Sequence, residues 1–518
     1  MERDFRCDET TVAETLCGKV QGYFYHETYT FKGIPYARAE RFLKPVPTER
    51  WEGIRDTTSF GYVCPLLRQE KPDGELRVPH RYWLTSEDCL NLNVWTPGID
   101  QKKRPVLVWL HGGAYEGGSS MEQIAYDGDA MSRIGDVVVV SLNHRLNILG
   151  YLDLSPYGEK YRYSANAGNS DIIAALRWVR GNIENFGGDP DNVTLFGQSG
   201  GGGKIITLLQ SPEADGLYHK GIIMSGVIPP QMLNAEDGDS RFIIRALLAE
   251  LGKEETQIEE LEYLPYSVLA QAYEKVAPKL KMEGKYVGCC PKIGAEYRGF
   301  PLSKGFRSET KDIPLIVGSV FGEFAFWKLP YDKKKLTRKD GIAVLEESFG
   351  KEAVESVLPL FEKAFPHRNP VDLTCCDTIF RGPASAYIHK RCENGGTVYS
   401  YLFDVDFPLE SGKPAWHCSE IPFVFHNTDL TPYANIPGIT ERLEGQIFDS
   451  VIAFAKTGNP NHPGIPNWMR STPDTEQVMM FGENTVQRSN PDAELQKEMQ
   501  PLSQIQFARM MGQMEIKH

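Results

Sequence analysis

The sequence predicts an α/β protein: a central, mostly parallel twisted sheet with helices on both faces and large helical insertions around one end. Two observations carry this. Short apolar, β-rich runs end in glycine turns, and between them lie segments with apolar residues at helical spacing. "RPVLVWLHGG" (104–113) is the first such run. "DVVVVSLNHR" (136–145) is the second, continuous enough to be buried on both faces. In "SDIIAALRWVRGNIENF" (170–186), Ile172, Ile173, Leu176, Val179, Ile183 and Phe186 recur with a helical period. "GGDPDNV" stops that helix, and "VTLFG" (193–197) reads as a short strand. Further strands are "KGIIMSG" (220–226), "IPLIVGSVFGE" (313–323) and "TVYSYLFDVDF" (397–407). "SRFIIRALLAELG" (240–252) and "DGIAVLEESFGKEAVESVL" (340–358) are helical insertions of the kind that shape a substrate gorge. No repeat, low-complexity tract or Pro/Gly/Ser-rich linker divides the chain, so one domain over 1–518 is expected.

Composition narrows the function. The chain has 518 residues, 41% hydrophobic and 24% charged, which is ordinary for a globular protein with a large core. A net charge of -13 argues against a nucleic-acid binder, because tracking phosphates needs a basic excess. No run of about 18 apolar residues occurs, so no membrane span is expected. The opening "MERDFRCDET" has no apolar h-region, so the cytoplasm is the expected location, with secretion the alternative if a leader had been removed. The 10 cysteines include the adjacent pairs Cys289-Cys290 and Cys375-Cys376 but no metal-binding spacing, and in a cytosol they stay reduced.

The stretch "TLFGQSGGGGK" (194–204) allows two readings. A phosphate-binding loop needs G-x-x-x-x-G-K-[ST]. Counting back from Gly203-Lys204 places Gln198 at the first glycine, and Ile205 stands where the magnesium-binding hydroxyl belongs. That reading fails. G-x-S-x-G fits as Gly197, Gln198, Ser199, Gly200, Gly201. Its glycines let a strand turn sharply into a helix and hold an exposed serine in a strained conformation.

A serine hydroxyl needs a base to act as a nucleophile. In α/β-hydrolases the acid and then the histidine follow the serine along the chain. Glu323 lies just past a strand among Phe321, Phe324, Phe326 and Trp327, and an acid in such company needs a partner; a surface glutamate is the alternative. Six histidines lie downstream: His367, His389, His417, His426, His462 and His518. His417 follows a strand by one loop, where a base belongs, and His426 is the runner-up. "WLHGGAYEGG" (109–118) offers a glycine loop after a strand, so Gly113, Ala114 and Gly200 are candidate oxyanion donors.

Several ordered stretches together resemble the type-B carboxylesterases, the cholinesterase-like branch of the α/β-hydrolases. They are "FKGIPYA" (31–37), "SEDCLNLNVWTP" (86–97), "WLHGGAY", "NHRLNILGYL", "NFGGDPDNVTLFGQSGGG", "HCSEIPFVF" (417–425) and "FAKTGNPN" (454–461). The resemblance implies the α/β-hydrolase fold, with Ser199 as nucleophile, Glu323 as acid and His417 as base. It also implies Gly113, Ala114 and Gly200 as oxyanion donors, Ser225 as a serine supporting the triad, and structural ion pairs Arg41–Glu87 and Arg145–Asp171. There are departures. The family commonly has Glu before the nucleophile and Ala after it, where this chain has Gln198 and Gly200. A neutral Gln198 weakens the case for a cationic, choline-like substrate. Ala114 replaces the third glycine of the oxyanion loop, and Cys418 follows the histidine where a small residue is usual. Cys64 and Cys89 sit where secreted members form a disulfide.

The expected activity is hydrolysis of small-molecule carboxylic esters through an acyl-enzyme, with no cofactor or metal. Amides, carbamates and thioesters share the chemistry, and a non-catalytic cholinesterase-like scaffold is the rival from another class. "HRYWLTS" (80–86) and "GEFAFWKLPY" (322–331) suggest either an aromatic-walled gorge or core aromatics.

Overall fold

The computed structural model describes residues 5–68, 80–228, 238–325 and 331–503. Its centre is an 11-stranded sheet. In chain order the strands are β1 (Tyr23–Tyr25), β2 (Thr28–Pro35), β3 (Asn91–Thr96), β4 (Arg104–Leu110), β5 (Val138–Leu142), β6 (Gly188–Gln198), β7 (Lys220–Met224), β8 (Leu315–Val320), β9 (Val398–Asp404), β10 (Gln477–Gly482) and β11 (Val486–Ser489). Across the sheet they lie in the order β11-β10-β9-β8-β7-β6-β4-β5-β3-β2-β1. From β10 to β5 every neighbouring pair is parallel. Antiparallel strands finish both edges.

The apolar runs follow from burial on two faces. Val106, Val108 and Leu110 of β4 belong to one core, and Leu107 and Trp109 to the other. Helices α1 (Ala167–Asn182), α2 (Gly200–Leu209) and α3 (Arg381–Glu393) contribute to the first core. Helices α4 (Ile421–Phe425) and α5 (Thr440–Thr457) contribute to the second. Each fully buried aliphatic or aromatic side chain contributes ~1.5–3 kcal/mol, so the sheet is a rigid base for its loops. Among the described residues no helix is long and apolar enough to cross a membrane.

The elements differ from expectation at their ends. The helix expected over 170–186 is regular from Ala167 to Asn182 and tightens to a 3-10 turn at Ile183–Phe186. β6 starts at Gly188 rather than at 193, with a register shift between Gly188 and Val193. The insertion at 340–358 is two helices, Arg338–Phe349 and Lys351–Ala364, broken at Gly350 with φ 86°. Strands β1, β2, β3, β10 and β11 were not expected.

One feature of the order positions a site. β4 lies between β5 and β6, so the chain steps outward from it in both directions. Leu110 of β4 pairs with Gly197 of β6, and both strands end there side by side. In open parallel sheets the crevice at such a reversal is where ligands bind.

Candidate active site

Two loops leave that crevice. Ser199 stands between β6 and α2 with φ 57° and ψ -125°. A non-glycine residue held there costs on the order of 1–3 kcal/mol. The Ser199 N–H donates to the Met224 carbonyl at 2.8 Å, and the Gly203 N–H donates to the Ser199 carbonyl at 3.0 Å. The turn closes because its neighbours lack side chains: a Cβ on Gly201 would lie 1.9 Å from the Leu110 carbonyl oxygen.

The loop after β4 folds against this turn. A Cβ on Gly112 would lie 3.5 Å from the Ser199 Cβ, and one on Gly200 would lie 2.4 Å from the Ala114 Cα. Gly113 (φ 81°) and Ala114 (φ 51°) are both left-handed. Among the described residues, no acceptor receives the N–H of Gly113, Ala114 or Gly200. Three unpaired donors therefore stand beside one serine.

The acid and the histidine come from two other loops. Glu323, in the turn after β8, is fully buried. Its Oε1 accepts from the Ser225 hydroxyl at 2.7 Å and the Val320 N–H at 3.0 Å. Its Oε2 accepts from His417 Nδ1 at 2.5 Å. The His417 N–H also donates to the Glu323 carbonyl at 2.9 Å, so backbone and side chain hold one register. Phe380 stacks on the imidazole with centroids 5.1 Å apart. The remaining nitrogen, Nε2, receives the Gln198 amide at 3.2 Å. The Gln198 Oε1 in turn accepts the Cys418 thiol at 3.0 Å. In the tautomer with its proton on Nδ1, facing Glu323, Nε2 accepts the Gln198 amide, whose nitrogen also lies 3.3 Å from Nδ1.

The profile of the carboxylesterase family matches residues 9–499. The chain belongs to the carboxylesterase family. It is 34% identical to the para-nitrobenzyl esterase of Bacillus subtilis (strain 168), over 95% of this chain and 98% of that protein. It is 31% identical to the phenmedipham hydrolase of Pseudarthrobacter oxydans, over 91% and 95% respectively. Among solved structures, an esterase of Clostridium hathewayi superposes with a TM-score of 0.94 at 52% identity, covering 96% of this chain and 99% of that one. That enzyme is described as able to hydrolyse aliphatic aromatic polyesters. The fold is the α/β-hydrolase fold, and this family member is a carboxylic ester hydrolase acting on small-molecule esters.

The other histidines of this carboxylesterase are engaged elsewhere. His426 lies 3.6 Å from Glu444, His367 is 3.2 Å from Asp404, and His389 and His462 bond to the carbonyls of Pro473 and Gln446. His518 lies outside the described residues, as do Phe326, Trp327 and the rest of 326–330. Arg145 and Asp171 form a fully buried bidentate pair at 2.7 and 2.8 Å, and Arg41 grips Glu87 with two nitrogens. Cys64 and Cys89 are buried free thiols. Tyr82 and Trp83 of "HRYWLTS" are exposed, with Trp83 donating to the Phe60 carbonyl. Phe324 of the second aromatic segment packs on Phe380 at 5.9 Å.

Three groups at the site escaped sequence reasoning. Phe380 has no motif. Asp377 is buried and caps the N–H groups of Ile379, Phe380 and Arg381. Burial, and then the charge of Glu323, pushes its carboxyl well above the usual range. Glu420 is also buried, and for the same two reasons its carboxyl is pushed up to about 8. Its spacing of three residues after His417 was a signal, had buried acids been sought there. Near neutral pH, Glu420 is a neutral acid beside Glu323.

Proposed function

We propose that Ser199 attacks the ester carbonyl, that His417 takes its proton, and that Glu323 orients the imidazole and stabilises it once charged. The observation that carries this reading is the 2.5 Å contact of His417 with the fully buried Glu323, beside a strained serine and three unpaired N–H groups. The N–H groups of Gly113, Ala114 and Gly200 receive the carbonyl oxygen as it becomes negative. His417 then gives the proton to the leaving alcohol, an acyl-enzyme forms on Ser199, and water releases the acid by the same steps in reverse. In the resting state the Gln198 amide caps the base. The Ser199 hydroxyl must replace it for the proton to move. Gln198 carries no charge, which favours neutral over cationic esters.

The test is hydrolysis of p-nitrophenyl esters from acetate to octanoate by wild type and Ser199→Ala, with a mass spectrum after organophosphate treatment. An aliphatic aromatic polyester belongs in the panel, given the Clostridium hathewayi neighbour. Serine-dependent turnover and one phosphoryl adduct on Ser199 are expected. Turnover that survives Ser199→Ala, or an adduct elsewhere, rejects the assignment.

A further inference from the structure

The Gly203-Lys204 pair that fails as a phosphate loop leaves a lysine to explain. Lys204 lies in the second turn of α2, wholly buried. Among the described residues no carboxylate lies within ion-pair reach of it. Its Nζ donates to the carbonyl of His111 at 2.9 Å. His111 opens the loop that contains Gly113 and Ala114.

An unpaired ammonium in the core costs several kcal/mol, which a methionine of similar length avoids. Stability therefore does not explain the residue. Its surroundings are also unusual. The rings of His111 and His144 stack 5.2 Å apart beside it. Each Nδ1 bonds to a carbonyl, that of Gly112 or Arg145, at 2.9 Å. Among the described residues each Nε2 is buried without a hydrogen-bond partner. Burial, and then the charge of Lys204, holds both imidazoles well below their usual range, so both are neutral. Burial also brings the lysine down to about 7, an effect that Glu122 partly opposes.

The loop in front of this cluster needs an anchor. Gly113 and Ala114 are both left-handed and, among the described residues, their N–H groups have no acceptor. The loop is held through its carbonyls instead. Gly113 accepts from the N–H groups of Glu116 at 3.1 Å and Gly117 at 3.0 Å, and His111 accepts from Lys204. Lys204 ties the start of the loop to the helix that follows Ser199, and the Tyr115 hydroxyl, 2.8 Å from the Thr207 hydroxyl, ties the loop's far side to the same helix. We propose that Lys204 is a positioning residue: by donating to the His111 carbonyl it holds the N–H groups of Gly113 and Ala114 in register with Ser199. This rests on the reading of those groups as the oxyanion site.

The test compares wild type, Lys204→Met and Lys204→Gln by kcat and KM on p-nitrophenyl butyrate, by inhibition with a trifluoromethyl ketone, and by melting temperature. Loss of one direct oxyanion donor costs about 10²–10³ in kcat, so loss of its anchor should cost Lys204→Met about 10–100-fold. KM should stay nearly constant, the inhibition constant of the tetrahedral ketone adduct should rise by the same factor as kcat falls, and the melting temperature should not fall. Lys204→Gln, with an N–H on a stem one atom shorter, should lose less. Wild-type kcat in Lys204→Met, a lowered melting temperature, unchanged ketone inhibition, or equal loss in both variants overturns the proposal. Organophosphate labelling of wild-type Ser199 separates the two levels. If labelling fails, the site reading falls; if it succeeds and the Lys204 variants behave as wild type, only this inference falls.

Discussion

The two halves of the site are built by different means. On the side of Ser199 the parts are backbone: left-handed turns, unpaired N–H groups, and glycines that let two loops touch. On the side of His417 they are side chains from distant segments, with Glu323 and His417 94 positions apart and Ser225 a further 98 before the glutamate. The first half is limited by steric space and the second by burial and charge. A substitution in the first should act at once and at every pH. One in the second, outside His417 and Glu323 themselves, should act through protonation and be partly tolerated.

The largest effect belongs where the halves meet. Ser199→Ala should lose on the order of 10⁶-fold in kcat, as should His417→Ala. His426→Ala, paired with Glu444 away from the site, should stay near wild type in the same p-nitrophenyl ester assay. The reverse result would exchange the two histidines and dissolve the side-chain half as described.

The next test is steric. A Cβ on Gly200 would meet the Ala114 carbonyl oxygen at 2.3 Å and its Cα at 2.4 Å, all backbone that cannot rotate away. Gly200→Ala should therefore displace the loop and lower kcat by about 10²–10³, the cost of a lost oxyanion donor. Adding Ala114→Gly frees a left-handed position and should restore part of the loss. A double-mutant cycle on kcat reads that coupling, and strict additivity would mean that the two loops are independent.

This contrast also explains what was legible in the sequence. The Ser199 half uses local spacing: a strand, a serine between glycines, a second glycine loop. Gly113, Ala114, Ser199 and Gly200 were all readable from neighbours in the chain. The apolar runs of β4 to β9 were readable because both faces are buried. The His417 half depends on packing between remote segments. Glu323 and His417 are singled out by order along the chain and by resemblance, not by any local pattern. Asp377, Phe380 and the Gln198–Cys418 contact exist only once α3 and the His417 loop are docked. Of the strands not expected, β1 and β11 are short and β2 and β3 interleave polar with apolar residues, whereas β10 carries a continuous apolar run, Val478–Phe481, that is present in the sequence.

A pH series sharpens the side-chain half. Glu420 is pushed up to about 8 in the folded protein, against an ordinary value of 4.5. Below about 4.5 both folded and unfolded chains hold the proton. Between there and about 8 the unfolded chain has released it and the folded chain has not. Folding therefore takes up a proton, and this group lowers stability as pH rises through that window. Glu420→Gln removes the slope. In urea unfolding it should match wild type near pH 5 and gain on the order of 1–3 kcal/mol over it by pH 8. A constant offset at all pH values would mean that Glu420 acts through packing alone.

The smallest effect asks whether the side-chain half is as tolerant as the comparison holds. Cys418 has φ 74°, a left-handed position that favours glycine, yet its thiol donates to Gln198 Oε1 at 3.0 Å. Burial pushes the thiol well above its usual range, so it stays a protonated donor. Cys418→Gly relieves backbone strain worth roughly 1 kcal/mol but adds freedom to the unfolded chain and removes the donor, so the terms nearly cancel. Its stability should lie within about 1 kcal/mol of wild type and its kcat/KM within about 3-fold, with Cys418→Ser closer still because it keeps a donor. A loss above about 10-fold in Cys418→Gly, rescued in Cys418→Ser, would mean that the amide must face the imidazole one way round. The side-chain half would then be as unforgiving as the glycine half, and the division between steric and electrostatic control would not hold.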